Sequence, residues 1–225
     1  MLSFSVIIPT LNEADNIESL LAYLTQLDKE IELIVVDSES SDNTELLAKK
    51  YAKVIQAPKR GRGAQMNAGA QVAIGDIFWF LHADCRPHAD SINVMREALA
   101  NPKVVGGGFG YFLDHPGLHF RLAETLSNYK NRLLKWLFGD MGIFIRRHIF
   151  KRMGGYAEIP LMEDMNFCKR LKKNGEIVIL PQRMKTSARR WLEEGYIKNS
   201  VRSWLLQSAW VLGASPQKLA KWYKF

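Results

Sequence analysis

Carboxylates recur in this sequence where apolar runs give way to polar ones. Residues 5–8 lead into Pro9-Thr10-Leu11-Asn12-Glu13, residues 31–36 into Asp37-Ser38-Glu39-Ser40-Ser41, and residues 77–81 into His82-Ala83-Asp84. A later pair, Glu163-Asp164, opens a helix-period segment. Carboxylates that converge beside phosphate donors suit a divalent cation screening a diphosphate, because Mg2+ and Mn2+ take oxygen ligands shared between protein and phosphate. Each group also has a plainer reading. Asn12 and Asp15 could cap one helix, the stretch 37–42 could cap another, and Glu163-Asp164 could be an acidic first turn facing the helix dipole. The shared placement at strand ends is what carries weight, since parallel α/β sheets bind ligands at the carboxyl ends of their strands.

The elements that must hold these residues read as an α/β fold. Short β-branched runs at 5–8, 31–36, 54–56 and 77–81 alternate with helix-period segments, the pattern of a parallel sheet with crossover helices. Ile17, Leu20, Leu21, Leu24 and Leu27 form an apolar stripe behind the first strand. Ser40 or Ser41 is expected to cap a helix through Lys50, and residues 63–73 are expected to be helical. Beyond Pro102 the rhythm changes to a Gly-rich strand at 104–113, a long amphipathic helix at about 118–137, a short strand near Ile143 and further helices. The expectation is one domain over 1–225, with a nucleotide-binding half at 1–101, an acceptor and catalytic half at 102–191 and C-terminal helices at 192–225.

Composition narrows the function classes. The 225 residues are 47% hydrophobic and 24% charged, enough for a large core. The opening run lacks a basic start and ends at Pro9, so neither a secretory signal nor a membrane anchor fits and a cytoplasmic protein is expected. Cys85 and Cys168 lie in no CxxC or Cys/His cluster, which argues against a zinc site and reads them as packing thiols. A net charge of +8 favours an anionic partner, or else a solvated basic surface. The basic residues form no nucleic-acid-binding signature, so nucleic acid is not an expected partner. No GxGxxG or Walker A loop is present.

Four segments together resemble the family 2 glycosyltransferases. They are Val6-Ile7-Ile8-Pro9-Thr10-Leu11-Asn12-Glu13, Ile34-Val35-Val36-Asp37-Ser38-Glu39-Ser40-Ser41-Asp42, the run from Gly63-Ala64-Gln65-Met66-Asn67 through Phe80-Leu81-His82-Ala83-Asp84, and Glu163-Asp164 with Gly175. The likeness spans residues 4–191. His82-Ala83-Asp84 stands in place of the family's DXD motif, together with a Gly139-Asp140-Met141-Gly142 turn, and Ser187-Ala188-Arg189-Arg190-Trp191 resembles its QxxRW motif with Ser187 in place of Gln.

The resemblance implies a GT-A fold, with a mostly parallel, Rossmann-like sheet flanked by helices. It implies an inverting transfer from a nucleoside diphosphate sugar, UDP-linked, with Mn2+ or Mg2+ as cofactor. Pro9, Thr10, Asn12, Glu13, Asp37, Arg62, Gln65, Asn67 and Ala83 would lie near the nucleotide. Asp84 would hold the metal, with His82 either a second ligand or a partner of the ribose. Asp164 would be the catalytic base, supported by Glu163, while Asp140, Arg190 and Trp191 would meet the diphosphate and the acceptor. Met66 stands where many relatives carry arginine, and Lys59, Arg60 or Arg62 could replace that charge.

The tail, 196–222, carries Ile197, Val201, Trp204, Leu205, Val211 and Leu212 at helical spacing beside Lys198 and Arg202. Two readings stand: packing against the domain, or a peripheral membrane contact suited to a lipid-linked acceptor. The stretch falls short of the ~20 apolar residues needed to span a bilayer. A nucleotidyltransferase of sugar phosphates and an inactive nucleotide-binding or membrane-associated scaffold remain the competing functions. The acceptor is not identified by the sequence.

Overall fold

The structure is a computed structural model describing residues 1–223, the side chains of Arg190 and Ile197 excepted. Its first half alternates β1 (Phe4–Thr10), α1 (Ala14–Leu27), β2 (Glu32–Asp37), α2 (Thr44–Ala48), β3 (Lys53–Gln56), α3 (Arg62–Val72) and β4 (Ile77–Phe80). Then come β5 (Cys85–Arg86), α4 (Ser91–Ala100), β6 (Val104–Leu113), α5 (Leu118–Leu134), a 3-10 turn (Gly139–Met141), β7 (Phe144–Arg146) and α6 (Arg147–Met153). The chain closes with α7 (Glu163–Leu171), β8 (Glu176–Thr186), α8 (Arg189–Glu194), α9 (Tyr196–Val211) and α10 (Pro216–Trp222).

The strands form one sheet in the order β3-β2-β1-β4-β7-β6-β8-β5. The run β3-β2-β1-β4 is parallel, as the alternating rhythm predicts, with Thr10 level with Asp37. Its carboxyl edge therefore lines up the first two polar loops. β7 runs antiparallel to β4 and to β6, so the sheet is mixed beyond β4.

Period-2 alternation divides the core between the two faces. Phe4, Val6 and Ile8 pack with Leu20, Leu21 and Leu24 of α1 and with Trp79, Phe109 and Phe144. Ile7, Phe78 and Phe80 pack on the other side with Phe150, Tyr156 and Phe167. Gly69 lets α3 lie directly on β1, because a Cβ there would overlap Ile7.

Two segments differ from the sequence expectation. The second helix begins at Thr44, not at Ser40 or Ser41, because those serines are engaged with the loop that follows β1. In the tail, Val201, Trp204, Leu205, Val211 and Leu212 are exposed. The packing reading fails for them, and Leu206 and Leu219 anchor the tail instead.

Candidate functional site

The loops after β1 and β2 interlock side chain to backbone. The Asn12 N–H donates to Ser40 Oγ at 2.9 Å and the Ser41 N–H to Asn12 Oδ1 at 2.8 Å. Amides at the start of α1 are taken the same way: Glu13 N–H by Thr44 Oγ1 at 2.8 Å and Ala14 N–H by Asp42 Oδ2 at 3.1 Å. Asn12 and Glu39 both hold left-handed backbone, φ 55° and 59°, which non-glycine residues adopt at some cost and which collects at functional sites. Asp37 is buried and accepts from Thr10 Oγ1 at 3.1 Å, Ser40 Oγ at 2.5 Å and the Ser40 N–H at 2.8 Å. It pins the two loops together.

Two residues expected near the nucleotide belong to the frame around it. The Gln65 amide donates to the carbonyls of Thr10 and Val36, each at 2.9 Å, and so ties α3 to the ends of β1 and β2. The Asn67 amide pairs with both backbone groups of Tyr156, donating at 3.0 Å and accepting at 2.8 Å. Both side chains are engaged within the fold, Gln65 at the ends of the strands that the nucleotide reading also uses. Pro9 and Thr10 sit opposite Val36 and Asp37 at the strand ends, and Ala83 is buried in the loop that follows β4.

A crowd of carboxylates lies past the end of β4. Asp164, at the start of α7, accepts the Gly139 N–H at Oδ2, 3.1 Å, and the Met165 N–H at Oδ1, 2.7 Å. Burial pushes its pKa up, and those two N–H groups restrain the rise. Asp140 is pushed up to about 7, first by burial and then by the charges of Asp164 and Asp84. Glu163 also rises to about 7, by burial and by Asp164, against the attraction of Arg62, which lies 3.9 Å away. Glu13 is raised mainly by burial; Asp84 repels its charge while Arg189 and Arg62 attract it. The α7 carboxylates follow Met162, a further left-handed residue at φ 65°. Together with Phe80 and Tyr156, His82, Gly139, Glu163 and Asp164 line one small pocket.

Whether these residues suit a divalent cation can be judged from their arrangement. Donor atoms of His82, Asp84 and Cys85 lie within 4.8 Å of one another, with Asp140 close enough to feel the Asp84 charge. Desolvation holds the Cys85 thiol protonated, and its sulfur lies 3.6 Å from Thr186 Oγ1, so it packs as the sequence reading expects. The remaining oxygen and imidazole donors fit Mn2+, and less well Mg2+. A cation would add to the attraction of Arg62 and relieve the repulsion among Asp84, Asp140 and Asp164.

The 3-10 turn that brings Asp140 here is held by Thr186 Oγ1, which donates to the Asp140 carbonyl at 3.4 Å. Thr186 does not stand out in the sequence, because its importance lies in a contact made to Asp140, 46 residues away. Arg189 is the tail arginine whose charge reaches Glu13, whereas the side chain of Arg190, the expected diphosphate ligand, lies outside the described residues. Trp191 packs against Tyr196, with ring centroids 5.7 Å apart, in a cluster with Tyr111, Leu113 and Phe120. A larger cleft, about 410 Å3, lies at the opposite end of β4 beside Arg146 and Arg147. Those arginines donate to the carbonyls of Val104, Leu99 and Ile74.

Residues 5–153 match the model of the family described as Glycosyl transferase family 2, a span that ends before Glu163 and Asp164. Glycosyltransferase AglE of Haloferax volcanii is 26% identical over 186 residues, covering 77% of this chain and 58% of the relative. Mannosyltransferase PcManGT from Pyrobaculum calidifontis, solved with GDP-Man and Mn2+, superposes with a TM-score of 0.72 at 20% identity, over 92% of this chain and 61% of that one. S. aureus TarS residues 1–349, solved with UDP-GlcNAc, gives 0.66 at 21% identity, over 83% and 58%. The likeness to both structures is one of fold, the GT-A fold. The chain spans about three-fifths of the length of AglE.

Proposed function

The chain belongs to glycosyltransferase family 2, and on that premise we propose that it moves a sugar from a nucleoside diphosphate, UDP by preference, to an acceptor hydroxyl with inversion. The observation that carries this reading is the convergence of Asp84, Asp140, Glu163 and Asp164 beside the interlocked loops of β1 and β2. Fold likeness to transferases solved with nucleotide sugars supports it.

Asp164 is the base. Both its oxygens are oriented by backbone N–H groups, and burial raises its proton affinity, as a general base requires. The acceptor oxygen attacks the anomeric carbon and its proton passes to Asp164, while the bond to the diphosphate breaks and its electron pair leaves with the phosphate. Glu163, held near Arg62, borders the same pocket, and the Asp164 charge helps to keep the Glu163 proton on. Asp84 and His82 would hold Mn2+ or Mg2+, whose contribution is to neutralise the departing diphosphate, about 3 to 4 kcal/mol for a well-aimed interaction. Asp140 faces the diphosphate and acceptor side, and Trp191 borders the acceptor. The same proposal takes the acceptor to be lipid-linked and places the enzyme at the cytoplasmic face of a membrane, with α9 and α10 in peripheral contact, as the exposed Trp204 and Leu212 suggest.

Thermal unfolding with UDP, GDP, ADP and dTDP, each with Mn2+, Mg2+ or EDTA, tests the reading. At a hundredfold excess over Kd the expected gain is about 2.7 kcal/mol, roughly 5 to 10 °C for a chain this long. A UDP shift that needs the metal supports the transferase. No shift with any nucleotide would overturn it in favour of a scaffold.

A further inference from the structure

We propose that α5 is the element on which this protein rests against an anionic lipid surface, with its leucine face in the headgroup region. The helix is built inside out. Toward the protein it turns Phe120, Glu124, Asn128 and Asn131, all buried. Glu124, fully buried, accepts the Leu113 N–H at 2.5 Å and pairs with Arg121 at 2.9 Å. Asn128 donates to the Tyr111 carbonyl at 2.9 Å and accepts its N–H at 3.0 Å, much as a neighbouring strand would. The polar face therefore fastens α5 to β6.

Toward solvent the helix turns Leu118, Leu122, Leu126, Tyr129 and Leu133, a stripe at helical spacing in which Leu126 is 61% and Leu133 71% exposed. A helix in water normally places these two faces the other way round, so the outward stripe calls for an apolar neighbour. α9 lies alongside: Lys130 Nζ donates to Gln207 Oε1 at 3.1 Å and sits 4.9 Å from the centre of the Trp204 ring. With its exposed Val201, Trp204, Leu205 and Leu212, α9 extends the apolar face.

Charge selects the occupant. α5 carries one carboxylate, Glu124, and it is buried; the sequence after Glu194 contains none. Arg132, Lys135, Lys198, Lys218 and Lys221 are exposed on α5, α9 and α10 or at their ends. A second copy docking here would meet cations with cations. An anionic lipid surface satisfies both the leucines and the charges. No helix among the described residues is long and apolar enough to cross a membrane, so the contact lies along the surface.

The inference deepens the proposed transfer, and rests on it, in one respect. α5 ends at left-handed Lys135, and the chain reaches Gly139 and Asp140 a few residues later, which sets the acceptor side of the site next to the lipid.

The test is co-sedimentation of the full chain with phosphatidylcholine vesicles, with and without phosphatidylglycerol, at low and high salt. Binding is expected only with phosphatidylglycerol at low salt. The double variant Leu126→Asp, Leu133→Asp should lower partitioning about tenfold or more, while Gln26→Ala, exposed on α1 and outside the leucine stripe, leaves it unchanged. Because both leucines are exposed, the double variant should keep the wild-type unfolding temperature, which guards against misfolding as the cause. Absence of binding to anionic vesicles, or unchanged binding by the double variant, would overturn the proposal. So would a dimer in sedimentation velocity that the double variant dissociates. Vesicle binding is read without nucleotide or turnover, so its failure leaves the transferase reading standing, and loss of the nucleotide shift with binding intact strikes the transferase reading alone.

Discussion

Gly139 is bonded to Asp164 through its backbone N–H, 3.1 Å from Oδ2, while its bare Cα faces the imidazole of His82 so closely that a Cβ would stand 2.5 Å from Nε2. One glycine thus spaces the expected base from the expected metal ligand. Gly139→Ala should turn His82 aside and weaken the metal-dependent part of nucleotide binding, with a stability change within about 1 kcal/mol. Combining it with His82→Ala gives a double-mutant cycle: if the alanine acts through His82, it costs little more in that background. Additive losses in metal-dependent binding would reject the coupling.

Asp164→Asn keeps the shape and one accepting oxygen but removes the proton acceptor. Turnover should fall by about a hundredfold or more, with the nucleotide-induced unfolding shift retained. Unchanged turnover would remove Asp164 from the role of base.

The pKa of Glu163 bears on stability. Its folded value, about 7, lies above its ordinary 4.5, so between those values the folded chain binds more protons than the unfolded one. Stability is therefore greatest below pH 4.5 as far as this group is concerned, and declines as pH rises toward 7, by about 3 kcal/mol at most. Glu163→Gln should flatten that decline in urea titrations without metal. It should match the wild type near pH 4.5 and exceed it at pH 8, and an equal pH slope in both proteins would show that the burial of this charge is not felt.

Gln65→Met removes two donors from buried carbonyls at nearly constant volume. Leaving the carbonyls of Thr10 and Val36 without these bonds should lower stability by about 2 to 3 kcal/mol. A nucleotide ligand at this position would behave otherwise, losing affinity with stability intact, and denaturant unfolding alongside UDP titration separates the two.

Much of the frame was legible in the sequence. Apolar runs bounded by polar turns mark β1 to β4, and the stripe from Ile17 to Leu24 gives α1. The approach of Asp84 and Asp164 follows only from the resemblance, since no local pattern brings residues eighty positions apart together. Periodicity identified α5 as amphipathic but not which face lies inward. That is decided by β6, whose backbone at Tyr111 and Leu113 needs partners that Asn128 and Glu124 supply. The resemblance places Gln65 and Asn67 near the nucleotide, and it does not reveal that their amides also bind the backbone of Thr10, Val36 and Tyr156, contacts that only the packing of α3 creates. The start of α2 was missed for a similar reason: a serine hydroxyl can cap a helix or bond a neighbouring loop, and Ser40 does the latter.

The interlocked loops after β1 and β2 bear on the timing of binding. Asn12, Ser40, Ser41, Asp42 and Thr44 order one another through their own bonds, so the conformational entropy of this edge, about 1 to 2 kcal/mol per residue, is lost when the chain folds. A nucleotide meeting such an edge waits for no rearrangement of it. Encounter then sets how fast different nucleotides arrive, and what distinguishes one from another is how long each stays.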